Sequence, residues 1–135
     1  MELKWDDTYS VYIEELDEQH KKLFAMINKF YEMLEKGNSS NVILTTVIAE
    51  MKKYAVQHFS REEHIMMLKG FPRLKNHQIR HKEFAEKVKQ LETKIQKGAI
   101  ILPSEIAKFL KDWLVNHIKI EDKVYAEYFK SNNLL

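Results

Sequence analysis

Cysteine is absent from the 135 residues, which removes disulfides, thiolate nucleophiles and iron–sulfur clusters and leaves nitrogen and oxygen as the donors for any bound metal. Glycine and proline are scarce, three and two, so the chain has few places to break a helix. Neither charge sign dominates, since 22 Lys and Arg face 20 Asp and Glu for a formal net charge of +2. No basic block therefore offers itself to nucleic acid or to an anionic membrane surface. Long apolar runs are missing too. Nothing approaches the ~18 apolar residues of a membrane span, and the opening Met1-Glu2-Leu3-Lys4-Trp5-Asp6-Asp7 lacks the apolar centre of a signal peptide. The expectation is one soluble, cytoplasmic domain spanning 1–135, long enough to enclose a core.

Helical periodicity is abundant. Residues 1–16 carry Trp5, Tyr9, Val11, Tyr12 and Ile13 without a helical period and read as an extended arm, with Asp17 as the N-cap of the first helix. Leu16, His20, Leu23, Phe24, Ile27, Phe30, Tyr31 and Leu34 then share one face of a helix over 17–36, and Gly37 fits the position just beyond its last turn. Similar stripes predict helices over 41–69, 73–97 and 103–130, with Ser40, Pro72, Gly98 and Pro103 as starts and stops. Four amphipathic helices on short loops predict an all-α, antiparallel up-down-up-down four-helix bundle with an extended N-terminal arm.

The apolar stripes contain too many imidazoles. His58 and Glu62 lie four residues apart, as do His77 and His81, so each pair returns to one helix face. His20 and His117 also fall inside stripes, leaving only His64 among the six histidines to be read as a surface residue. In an antiparallel bundle these positions reach matching depths. A carboxylate such as Glu62 in an apolar stripe needs a partner, because an unpaired buried charge is very costly. Beyond His117, spacing alone favours Glu121, four residues on. Asp122, five on, would point roughly 140° away unless the helix is locally widened.

Five imidazoles and two carboxylates exceed the four ligands of one zinc ion. They suit two metal ions bridged by both carboxylates and by an oxide or hydroxide, one ion with three histidines and one with two, the open place falling on the latter. Imidazole with carboxylate suits iron. Di-iron bundles that activate oxygen use four Glu and two His, whereas fewer anionic donors favour reversible binding.

In order and spacing, the sequence resembles the single-domain bacterial hemerythrins across nearly its whole length. The matching features are Trp5 with Val11 and Ile13, Leu16-Asp17-Glu18-Gln19-His20, His58-Phe59-Ser60-Arg61-Glu62-Glu63, His77-x-x-x-His81, and Trp113-Leu114-Val115-Asn116-His117 followed by Asp122. The resemblance implies Asp122 rather than Glu121 as ligand, and with it a widened turn. It implies that His77, His81 and His117 hold one iron, that His20 and His58 hold the iron that binds oxygen, and that Glu62 and Asp122 bridge them. It further implies an oxygen pocket of Leu23, Phe59, Trp113 and Leu114, with Tyr125 just outside the ligands. The implied function is reversible dioxygen binding for storage, delivery or sensing rather than an enzyme activity. A di-iron oxidase or peroxidase, or a protein handling nitric oxide or iron, is the alternative.

Overall fold

Apolar side chains recurring at steps of three and four fold the chain into four rods in a computed structural model that describes residues 2–135. Helix α1 (Glu14–Glu35) buries Leu16, Leu23, Phe24, Ile27 and Phe30 along one stripe. Helix α2 (Asn41–Leu68) begins at Ser40, whose hydroxyl accepts the Ile43 N–H at 3.3 Å, as an N-cap should. Helix α3 is Leu74–Gln96, and α4 (Pro103–Asn116) opens with proline in its first turn, where no N–H is needed. The fourth rod continues through a π-helical turn, His117–Asp122, into α5 (Lys123–Ser131).

Gly70 ends α2 by taking φ +69, a value costly for any side chain, which lets the Phe71 N–H reach the Met66 carbonyl at 2.9 Å. Gly37 and Gly98 close α1 and α3 in the same way. With links this short, successive rods must run antiparallel. Helix α1 packs on α2 and α4, α2 packs on α3, and Phe84 of α3 meets Trp113 of α4 with ring centroids 4.4 Å apart. The result is the expected up-down-up-down bundle. Among the described residues there is no strand, and no helix is long and apolar enough to cross a membrane.

The core falls into two main apolar compartments. One, nearer the α1–α2 turn, centres on Ile27, Ile48, Met51, Phe84, Ile106 and Leu110. The other, at the opposite end, joins Val11, Leu16, Met66, Phe71, Tyr125 and Phe129. Leu16 and Phe129 are completely buried there, each contributing roughly 1.5–3 kcal/mol by leaving water.

The N-terminal arm departs from expectation. It is not extended throughout, since Asp7–Tyr9 form a short 3-10 turn, and α1 starts at Glu14 rather than at 17. Asp17 is therefore inside the first turns of the helix, not its N-cap, the cap position being Ile13. Its carboxylate turns back instead and accepts from the Val11 N–H at 2.8 Å and the Ser10 hydroxyl at 2.6 Å. The physical reason is that acidic side chains suit the positive end of a helix whether or not they cap it, and here the arm supplies the better donors. Tyr12 pays for this path with φ +65; its hydroxyl donates to Glu127 at 2.6 Å, and the Lys123 and Lys130 ammoniums lie over its ring.

Asp17→Ala removes both of those hydrogen bonds to a charged acceptor and is expected to cost about 2 kcal/mol, read as a lower denaturation midpoint. An unchanged midpoint would mean that Val11 burial and the two hydrogen bonds between the Leu3 backbone and the Asn28 side-chain amide hold the arm unaided.

Candidate metal centre

Between the two compartments the bundle brings together a set of side chains that belongs in water. Among the described residues, the buried histidines and carboxylates are His20, His58, Glu62, His77, His81, His117 and Asp122, none more than 4% exposed. One rod supplies His20, the next His58 and Glu62, the third His77 and His81, and the fourth His117 and Asp122. His64 lies exposed on the outer face of α2.

Glu62 is central. Its Oε2 is 3.2 Å from His20 Nε2 and 3.3 Å from His58 Nε2, while its Oε1 is 3.1 Å from His81 Nε2 and 3.5 Å from His77 Nε2. Asp122 repeats the division, with Oδ2 3.2 Å from His20 Nε2 and Oδ1 3.0 and 3.1 Å from His77 and His117 Nε2. Each carboxylate thus turns one oxygen to each of two groups. The groups are His77, His81 and His117 on one side and His20 and His58 on the other; with the shared Glu62 and Asp122, the potential ligating atoms of each lie within 4.8 Å of one another.

The residues fit a metal pair. His58 Nε2, His77 Nε2, Glu62 Oε1 and both Asp122 oxygens crowd one another at 3.0–3.5 Å without the geometry of a hydrogen bond, and the Nε2 atoms of His81 and His117 face each other at 3.0 Å. Each unsatisfied buried polar atom costs about 1–3 kcal/mol, a penalty that cations between them would remove. Nitrogen and carboxylate oxygen without sulfur are donors that iron accepts.

Electrostatics balance the site internally. Burial opposes charge on all these groups, but Asp122 and Glu62 outweigh it at His20, raised from 6.5 to about 9, and at His77, raised to about 10. Conversely, burial pushes Glu62 up, but His58, His20 and His77 hold it well below the ordinary carboxylate range. Asp122 is likewise held low, by His117 and His20 against both burial and Glu62.

Three residues outside the cluster orient it. The Tyr125 hydroxyl donates to Glu62 Oε2 at 2.8 Å, where the sequence resemblance put a supporting residue. Sequence reasoning missed the other two. Gln19 Oε1 lies 2.5 Å from His58 Nδ1, and Glu63 Oε2 lies 2.7 Å from His81 Nδ1. Their signal was faint, each being a polar residue next in sequence to a buried one.

The fourth rod places Glu121 and Asp122 in different surroundings. On a regular helix Asp122 would face away, but the π-helical turn over His117–Asp122 carries it inward to complete burial. Glu121, the choice from spacing, is left half-exposed with its carboxylate 4.0 Å from Arg80 Nε. Of the apolar residues named for a pocket, Leu23, Phe59 and Leu114 are buried and belong to one apolar compartment, with Trp113 packed against it. Phe59 stacks on His81 with centroids 3.9 Å apart, and Trp113 stacks on His117 at 4.5 Å. Both rings therefore lie against the three-imidazole group.

Residues 11–129 match the family profile described as "Hemerythrin HHE cation binding domain". The chain belongs to the hemerythrin family. It is 29% identical over 130 residues to a bacteriohemerythrin of Stenotrophomonas maltophilia, covering 96% of this chain and 83% of that protein. It is 33% identical to the myohemerythrin of Theromyzon tessulatum, covering 90% and 89% of the two chains. A crystal structure of wild-type hemerythrin superposes with a TM-score of 0.83 at 28% identity, covering 93% of this chain and 95% of that one.

The shifted groups give the metal-free chain a defined pH dependence. His20 and His77, raised when folded, contribute stability that is complete below 6.5 and is lost as pH climbs through 9 to 10. Glu62 and Asp122, depressed when folded, contribute stability that is complete above about 4 to 5 and is lost as pH falls. The denaturation midpoint of the metal-free chain is expected to peak between about pH 5 and 6.5 and to decline toward pH 10. A midpoint that rises across pH 7 to 9 contradicts this pairing.

Proposed function

We propose that the chain binds dioxygen reversibly at a pair of non-haem iron ions, for storage, delivery or sensing. In this reading His77, His81 and His117 would hold one iron and His20 and His58 the other, with Glu62 and Asp122 and an oxide or hydroxide shared between them. The observation that carries this reading is the division of oxygens: Glu62 and Asp122 each direct one oxygen toward each imidazole group. A single-ion site would turn both oxygens inward to the same set. Iron held there would supply the reversible redox chemistry that dioxygen binding needs.

The chain's own contribution is to keep that exchange reversible. His20 and His58 offer one imidazole fewer than the opposite group, so the place for an incoming ligand is on their side. The Tyr125 hydroxyl holds Glu62 by its Oε2, the oxygen facing that side. The side chains of Leu23, Phe59 and Leu114 carry no hydrogen-bonding group, and Trp113 presents its ring face to His117. In this reading they close the apolar end of the centre to water and protons, which keeps binding reversible.

Protein loaded anaerobically with ferrous iron and then exposed to oxygen is expected to give a stable oxygenated visible spectrum that reverses under argon. Immediate, irreversible oxidation would instead support an oxidase. In the same assay, His58→Ala should abolish the oxygenated spectrum while keeping one iron per chain. Glu62→Ala should impair retention of both irons. Equal iron content in the two variants would sink the assignment of Glu62 as a bridge.

A further inference from the structure

Outward-facing nitrogens of the two imidazole groups meet different chemistry. A glutamine Oε1 can only accept, so the contact between Gln19 and His58 at 2.5 Å places the proton on His58 Nδ1 and turns the Nε2 lone pair toward the centre. Glu63 does the same for His81 from 2.7 Å, but as a carboxylate. It is itself held, its Oε1 accepting the Gln78 amide at 3.1 Å, so that a chain of hydrogen bonds ties α2 to α3 at this point. The remaining imidazole on the Gln19 side, His20, has no hydrogen-bond partner at Nδ1 among the described residues. An anionic acceptor makes an imidazole a stronger donor than an amide does, and such outer partners govern metal affinity.

We infer that Glu63 and Gln19 set the two metal positions apart. Resting on the two-iron reading above, Glu63 makes the His77–His81–His117 position the tight one, and Gln19 leaves the His20–His58 position the weaker, first to empty. Both are positioning residues, acting through an imidazole rather than on a ligand. The division has a use. The position proposed to receive dioxygen carries the more weakly donating imidazoles, which leaves its metal the better acceptor for an added ligand. The carboxylate-backed position keeps its own metal fixed meanwhile.

The test uses full-length protein loaded with cobalt(II) and titrated with a chelator, followed by absorbance and by the paramagnetically shifted imidazole N–H resonances in proton NMR. Wild-type protein is expected to lose cobalt in two steps, the His58 N–H signal going with the first and the His81 signal with the second. Glu63→Gln should ease the second step by ~10–100-fold and leave the first unchanged. Gln19→Glu, which places a carboxylate on His58, should make the first step harder and draw the two together. A merely structural role for either residue would move both steps alike. The inference is overturned if Glu63→Gln shifts both steps equally or neither, or if Gln19→Glu leaves the first step where it was. Wild-type protein that holds a single cobalt defeats the two-metal reading itself, and the inference with it.

Discussion

Burying charge is what this bundle is built around. Two carboxylates at 0% exposure and five imidazoles at 4% or less sit where a bundle of this size would ordinarily place leucine. Removing such groups from water is tolerable only if they face one another or a cation. That requirement fixes the depth of every rod, since His20, His58, His77 and His117 must reach the same level from four directions. It also divides the apolar core, which runs on either side of the cluster and meets it through Phe59 on one side and Tyr125 on the other. Stability and chemistry are therefore not separable in this chain. The apolar compartments fix the separations among the seven polar groups, and those groups interrupt the compartments.

Much of this could be read from the sequence, for a physical reason. Helical period converts sequence spacing directly into a shared face, so His58 with Glu62 and His77 with His81 declared themselves, as did the four amphipathic stripes and the glycines that end three of them. Where the period is broken, spacing misleads. Five residues between His117 and Asp122 favoured Glu121 on geometry, and only the resemblance to known proteins pointed the other way. Asp17 had the right residue type for an N-cap but found better donors in the arm that folds back across it.

What stayed hidden were contacts that depend on the rotation and level of two different helices at once. Gln19 reaches across to His58 from α1, and Glu63 reaches His81 from α2. Nothing in the spacing of a single helix reveals either. The stacking of Phe59 and Trp113 is similar, since both could be named as neighbours of the centre. Which imidazole each covers is set by packing between helices α2, α3 and α4.

The widened turn also sets the phase of everything after it. Straightened with all its residues in place, it would rotate Asp122 and the helix beyond by about 100°. Tyr125, Ala126 and Phe129, all at 0% exposure, would swing off the compartment they fill, and Val124 and Tyr128 would move toward their places. The bulge thus serves two clients at once, one polar and one greasy. Because it absorbs one residue, a regular helix one residue shorter between His117 and Asp122 would present both clients on the faces they now occupy, so the irregularity is a local matter of the turn and asks nothing of the last nine helical residues.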